Sequence, residues 1–191
     1  MLTRILVVCA LGSMIVAGCA KKDSGAAAGG MTMADSMKAA YKAVSDAWDA
    51  GKVDEFDKYI SANSVDHDAM PGQKQGLEGM KEFAKMMHGW FPDMKSTIED
   101  MRVDGDVLTA RFKMSGTNSG SMMGMPATNK KIDGVNGIDQ VRWQNGKFTE
   151  HWGVFDAMGM MQKLGLAPMP GGGAPPAGGD MKKDMGGDKK M

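Results

Sequence analysis

The feature that most constrains this chain is a change of hydrophobic period near residue 95. Upstream of it, apolar residues recur every three or four positions, the spacing of one helix face; downstream, they alternate two by two, the spacing of a strand with one face covered. The alternation is cleanest over residues 106–116, where Leu108, Ala110, Phe112 and Met114 share one side and Val107, Thr109, Arg111 and Lys113 the other. Two dipeptides that favour tight hairpins, Asp104-Gly105 and Asn145-Gly146, punctuate this half. They predict strands over 95–104, 106–116, near 131–143 and over 147–155, with a loop rich in Gly, Ser and Met over 116–129. Helices followed by an antiparallel meander imply an α+β fold, with the helices packed on one face of a curved sheet.

In the helical half, Asp35 or Ser36 can cap a helix whose apolar face is Met37, Tyr41, Val44 and Trp48, and Gly51 ends it. A shorter amphipathic piece carries Val53, Phe56 and Ile60. Residues 64–67 read as extended, and Met70-Pro71-Gly72 as a turn. A second helix spans 76–90, with Leu77, Met80, Phe83, Met87 and Trp90 on one side, His88 on the solvated side, and Phe91-Pro92 as its stop. A short last helix follows from Asp156 to Leu164.

The ends of the chain are of another kind. Residues 1–18 have a short positive start and an apolar run from Ile5 to Val16, too short to span a bilayer and suited to a signal peptide. Val16-Ala17-Gly18-Cys19 resembles the lipobox of bacterial lipoproteins, which implies lipidation of Cys19 and membrane attachment through that lipid. Ala20 rather than aspartate follows, so the expected address is the cell envelope, at an outer membrane facing the periplasm if the cell has one. Residues 19–32 then hold the lipidated cysteine and a flexible tether, 33–166 the folded domain, and 167–191 a Gly/Pro/Lys-rich tail with little to bury.

Charge is balanced, 23 Lys+Arg against 23 Asp+Glu, which argues against nucleic acid as a partner. Of the two cysteines, Cys9 leaves with the signal and Cys19 is acylated, so no thiol remains for a disulfide or a zinc site. The histidines His67, His88 and His151 lack helical ligand spacing, and no built-in metal site is expected. The 22 methionines cluster at Met31/Met33, Met122/Met123/Met125 and Met158/Met160/Met161. They read either as adaptable core filler or as soft ligands for Cu(I).

The stretches VDHDAMPGQKQGLEGMKEF, WFPDMKSTIEDMRVDGDVLTARFKMSGTNSG, GMPATNKK and GKFTEHWGVFDAMGMMQKLG follow one another in order. Over about 60–166 they resemble the SnoaL-like family of polyketide cyclases, often labelled ester cyclases, within the nuclear transport factor two-like superfamily. The most specific phrases are Phe91-Pro92-Asp93 with Thr97-Ile98-Glu99, and Gly146-Lys147-Phe148 leading into Glu150-His151-Trp152. The resemblance implies a cone-shaped α+β barrel around an apolar pocket, a small apolar ligand or substrate, and a homodimer formed through the sheets. It also implies ring closure by aldol chemistry without a cofactor, and it carries the acid–base role to Asp156, with His151 and His67 as candidates to orient or polarise the substrate. Trp90, Arg111 and Trp152 are the candidate pocket residues. His151 and Trp152 are neighbours on a strand and must face opposite sides, so one of them lines the pocket and the other packs outside. Where the family often has histidine and glycine, this chain has Asn118 and Asn129. Two other functions fit the same sequence: an envelope lipoprotein that binds an apolar ligand without transforming it, and a Cu(I)-binding protein.

Overall fold

A computed structural model describes residues 31–168; the signal segment, Cys19, most of the tether and the tail beyond Pro168 lie outside the described residues. The first helix, α1 (Met33–Asp49), starts one turn earlier than its sequence suggests. Thr32 is the cap, and Asp35 is its reciprocal partner in a capping box, so the aspartate serves the helix start from inside it. A 3₁₀ turn (Val53–Lys58) leads into β1 (Ile60–Asp66), then α2 (Gly76–Trp90). β2 (Lys95–Asp104), β3 (Val107–Thr117), β4 (Lys131–Gln144) and β5 (Lys147–Phe155) form the meander, and α3 (Ala157–Leu164) closes the fold.

The sheet order is β1-β5-β4-β3-β2. The expected α+β architecture of N-terminal helices on a curved sheet is what forms, with the sheet left open rather than closed into a barrel. One difference from a pure meander concerns β1, which pairs in parallel with β5 and places Asp66 beside His151. The β4–β5 hairpin turns at Asn145 and Gly146, both at positive φ (51° and 82°), the pair that a two-residue turn of the right twist requires.

Helix α1 packs against β2 and β3, α2 against β1, and α3 against β4. Their apolar faces meet the inner face of the sheet in three clusters of buried side chains. Met37 and Tyr41 pack with Leu108, Ala110, Val141 and Phe148, while Phe56 packs with Val53, Leu77 and Ala84. Phe91, Met94, Met114, Ile132 and Leu164 form the third cluster. Trp48 stacks on Phe56 with centroids 6.0 Å apart. His88 is not free in solvent: it is half-buried, with its ring nitrogen against the Trp48 carbonyl.

The loop between β3 and β4 is pinned by Asn118, whose side chain is fully buried. Its amide donates to the carbonyls of Gly120 (2.9 Å) and Trp90 (3.3 Å), and its oxygen accepts from the Thr128 N–H (2.9 Å) and hydroxyl (3.0 Å). A buried amide so fully paired holds the loop without loss of hydrogen bonds. The loop thereby presents Met122, 1 % exposed, to the interior.

Candidate functional site

Between the helices and the inner face of the sheet lies a cavity of about 620 Å³. Nine methionines (70, 80, 87, 94, 114, 122, 123, 160 and 161) line it, together with aromatic rings that include Trp48, Phe83, Trp90, Phe112, Phe148 and Phe155. Thioethers on unbranched stems adapt to irregular shapes and make favourable contacts with ring edges, so this wall suits a ring-containing guest. The three methionine clusters are divided by the fold. Met122 and Met160 are buried and Met125 and Met161 pack against the core, whereas Met31, Met33, Met123 and Met158 are exposed.

Polar groups are concentrated in one part of this wall. In β5 the alternation of the strand turns His151, Gly153 and Phe155 toward the cavity. His151 lies across from Val141, and Gly153 across from Asp139 on β4. The imidazole reaches diagonally over Gly153, and its Nε2 lies 3.3 Å from Asp139 Oδ1. Only glycine permits this reach: a methyl group there would stand 2.8 Å from Cε1 and 3.0 Å from Nε2 of the ring. On the other side, Nδ1 lies 3.0 Å from Asp66 Oδ1, because the parallel pairing of β1 sets Asp66 next to His151. The Tyr41 hydroxyl, from α1, donates to Asp139 Oδ2 at 2.6 Å. Gln73 donates to Asp66 Oδ2 at 3.1 Å.

Electrostatics fix the protonation of this group. Burial works against charge on His151, but carboxylates on both ring nitrogens outweigh it and push its pKa up to about 10. The ring is therefore an imidazolium at neutral pH, donating to Asp139 and Asp66. Burial also works against charge on Asp66, yet the hydrogen bond and charge of His151 hold its carboxyl below the usual range. Burial, and then the charge of Asp139, push the Tyr41 phenol up, so it stays a neutral donor. The result is a half-buried hydrogen-bonded chain of Tyr41, Asp139, His151 and Asp66 on the wall of an apolar cavity. Among the described residues no group of three or more His, Cys, Asp or Glu side chains is placed to hold a metal ion.

Of the residues singled out from sequence, His151 and Trp90 line the cavity. Trp152 takes the opposite face of β5, where it stacks on His67 with centroids 4.4 Å apart and planes 4° apart. His67 itself lies 2.9 Å from Glu150 on that outer face, and neither ring belongs to the cavity lining. Arg111 faces outward from β3 and pairs with Glu99. Asp156 is the N-cap of α3: its Oδ1 accepts the Gly159 N–H at 2.8 Å, and it too lies outside the lining, although the next residue, Ala157, is part of it. Nothing in the local sequence pattern singles out Asp139, Tyr41 or Asp66 as a site residue. The signal available was an aspartate in a strand opposite a glycine, two positions beyond a histidine.

The sequence profile described as SnoaL-like polyketide cyclase matches residues 38–164. Among solved structures, one described as a candidate polyketide cyclase from Bacillus cereus is 33% identical, with a TM-score of 0.61, covering 69% of this chain and 82% of that one. TsrD from Streptomyces laurentii is 26% identical, with a TM-score of 0.64, covering 69% of this chain and 96% of its own. IdmH from Streptomyces antibioticus, described as a candidate polyketide cyclase, is 26% identical with a TM-score of 0.61, over 68% and 98% of the two chains. No curated protein matches the chain.

Proposed function

The chain belongs to the SnoaL-like polyketide cyclase family, and from that premise we propose that it performs cofactor-independent cyclase or isomerase-type chemistry on a small apolar carbonyl compound, with Asp139 as the acid–base group. The observation that carries this reading is the placement of His151 between two carboxylates on the cavity wall, 3.0 Å from Asp66 and 3.3 Å from Asp139.

The chemistry asks little more. A carbon flanked by carbonyls is already acidic, and a carboxylate in a water-poor cavity can remove its proton. Asp139 takes that proton and the electron pair becomes an enolate. The enolate carbon attacks a second carbonyl of the same molecule, forming the ring bond, and the resulting alkoxide takes the proton back from Asp139. No atom is gained or lost. His151, positively charged beside the base, lowers the energy of the negative charge that develops on the substrate oxygens. Tyr41 and Asp66 are positioning residues: one orients the Asp139 carboxylate, the other the imidazole ring. The apolar wall supplies the folding of the substrate that brings its reacting carbons together. Asp156 and His67, to which the resemblance assigned roles, have capping and outer-face partners, and this reading does not use them.

The test follows from the mass balance. A linear aromatic polycarbonyl ester incubated with the protein yields an isomer of unchanged mass and altered chromatographic retention. Formation of that isomer by Asp139→Asn at the wild-type rate refutes the assignment.

A second reading keeps the cavity and omits turnover: an envelope lipoprotein that holds an apolar ligand. The nine methionines on the wall favour it, since such walls accept guests of several shapes. Native mass spectrometry that finds a retained organic mass, unchanged on incubation, supports this alternative.

The same proposal attaches the domain to the cell envelope through lipid on Cys19, supported by the run Val16-Ala17-Gly18-Cys19. A mature N-terminus carrying acyl mass checks it. It also includes a homodimer through the outer sheet face, supported by the exposure of Ile138 and its cross-strand partner Val154 (42% and 65%).

A further inference from the structure

The charged groups on the cavity wall are unequal in sign. Asp66, Asp68 and Asp139 line it, and the only full positive charge among the described lining residues is His151; no lysine or arginine contributes. Glu150 also lines the cavity, but its carboxylate is engaged by His67 at 2.9 Å and Arg142 at 2.7 Å. Two carboxylates on one imidazolium leave that network with an excess of one negative charge. Asp68 adds a further carboxylate nearby: it is exposed, and its Oδ2 accepts the N–H of Gly153, beneath the His151 ring.

The rest of the wall is aromatic and thioether surface. Trp48, Phe112 and Phe148 are among the rings of this wall, and aromatic rings attract an organic cation over their faces. A guest with a carboxylate or phosphate head would meet a net negative charge here, since both ring nitrogens of His151, the one positive group, are already paired with Asp66 and Asp139.

We propose that this cavity selects an apolar ring compound bearing a protonated amine, with Asp68 as the residue at the rim that confers the selectivity. The proposal rests on the reading of the cavity as a substrate pocket. It narrows the substrate class from apolar carbonyl compounds in general to amino-substituted ones, and it excludes free acids. Asp68 takes no part in proton transfer; it contributes a fixed negative charge, which an asparagine of the same shape lacks while still accepting the Gly153 N–H.

Three probes share one apolar body and differ in the head group: naphthylmethylamine, naphthylmethanol and naphthoate. Binding of each to the full chain is followed by calorimetry at low salt. The expected order is amine, then alcohol, then acid, with the amine about tenfold tighter than the alcohol. In Asp68→Asn the advantage of the amine falls to about threefold or less, while alcohol binding is unchanged. Equal binding of amine and alcohol, or preference for naphthoate, overturns the proposal and leaves the substrate-pocket reading intact. Binding of none of the three overturns both. An amine advantage that persists undiminished in Asp68→Asn removes Asp68 from the role assigned to it.

Discussion

The Nε2 atom of His151 lies 3.3 Å from Oδ1 of Asp139, across a strand glycine that leaves no room for a side chain between them. This contact joins two adjacent strands diagonally and turns an ordinary strand histidine into part of a charged chain.

The protonation of His151 makes stability depend on pH with a definite sign. Its folded pKa is raised from 6.5 to about 10, so the folded state holds the proton more tightly than the unfolded one. The stabilisation is complete below about pH 6.5 and is lost as the pH rises toward 10. A shift of that size corresponds to a loss of several kcal/mol. Urea unfolding at steps between pH 6.5 and 10 should show a falling midpoint in the wild type and a much flatter one in His151→Asn. Asp66 acts in the opposite direction, its contribution fading as the pH falls through its lowered pKa.

Substitution of Gly153 by alanine should displace the imidazole, since the new methyl would approach Cε1 to 2.8 Å. The expected cost is about 1–3 kcal/mol from overpacking. The more telling result is that the pH dependence between 6.5 and 10 weakens along with activity. A variant that keeps the full pH dependence would show that the ring needs no passage over Gly153.

Much of this fold is legible in the sequence, and the reasons are local. The limits of α2, β2 and β5 follow from hydrophobic period and from turn residues such as Asn145-Gly146, which act within a few positions. The start of α1 is less legible, because Thr32, Asp35 and Ser36 are all good capping residues and only geometry selects Thr32. The parallel pairing of β1 with β5 is not legible at all: it joins residues 85 positions apart, as in the contact of Asp66 with His151. The candidate site is built almost wholly from such pairings. His151 is visible as a strand histidine, but the other members of its network, Asp139, Asp66 and Tyr41, come from three other elements, and near His151 in sequence only Gly153 points to one of them, Asp139. Asp156 has the reverse character, conspicuous in sequence and engaged in the structure by its own helix.

That engagement of Asp156 gives a third expected outcome. Asp156→Ala should lower stability by about 1 kcal/mol, the usual cost of losing an N-cap, and leave turnover unchanged. Thermal unfolding and a product assay on the same preparation separate the two effects. A folded variant with turnover reduced a hundredfold would return the acid–base role to Asp156.

Tyr41→Phe removes the 2.6 Å hydrogen bond to Asp139 and leaves a ring of nearly the same shape. Activity should fall about tenfold, with substrate affinity little changed, because the hydroxyl orients the base and does not hold the substrate. A large rise in KM at constant kcat would show instead that Tyr41 contacts the substrate.

The most direct test of the central claim asks whether Asp139 removes a proton from carbon. β-Tetralone, a compact bicyclic ketone with acidic protons beside its carbonyl, is incubated with the protein in heavy water, and loss of those proton signals is followed by NMR. Exchange should run about a hundredfold or more faster than in buffer. It should fall to the buffer rate in Asp139→Asn and persist in Asp156→Asn. Equal exchange by wild type and Asp139→Asn would contradict the claim that Asp139 is the base.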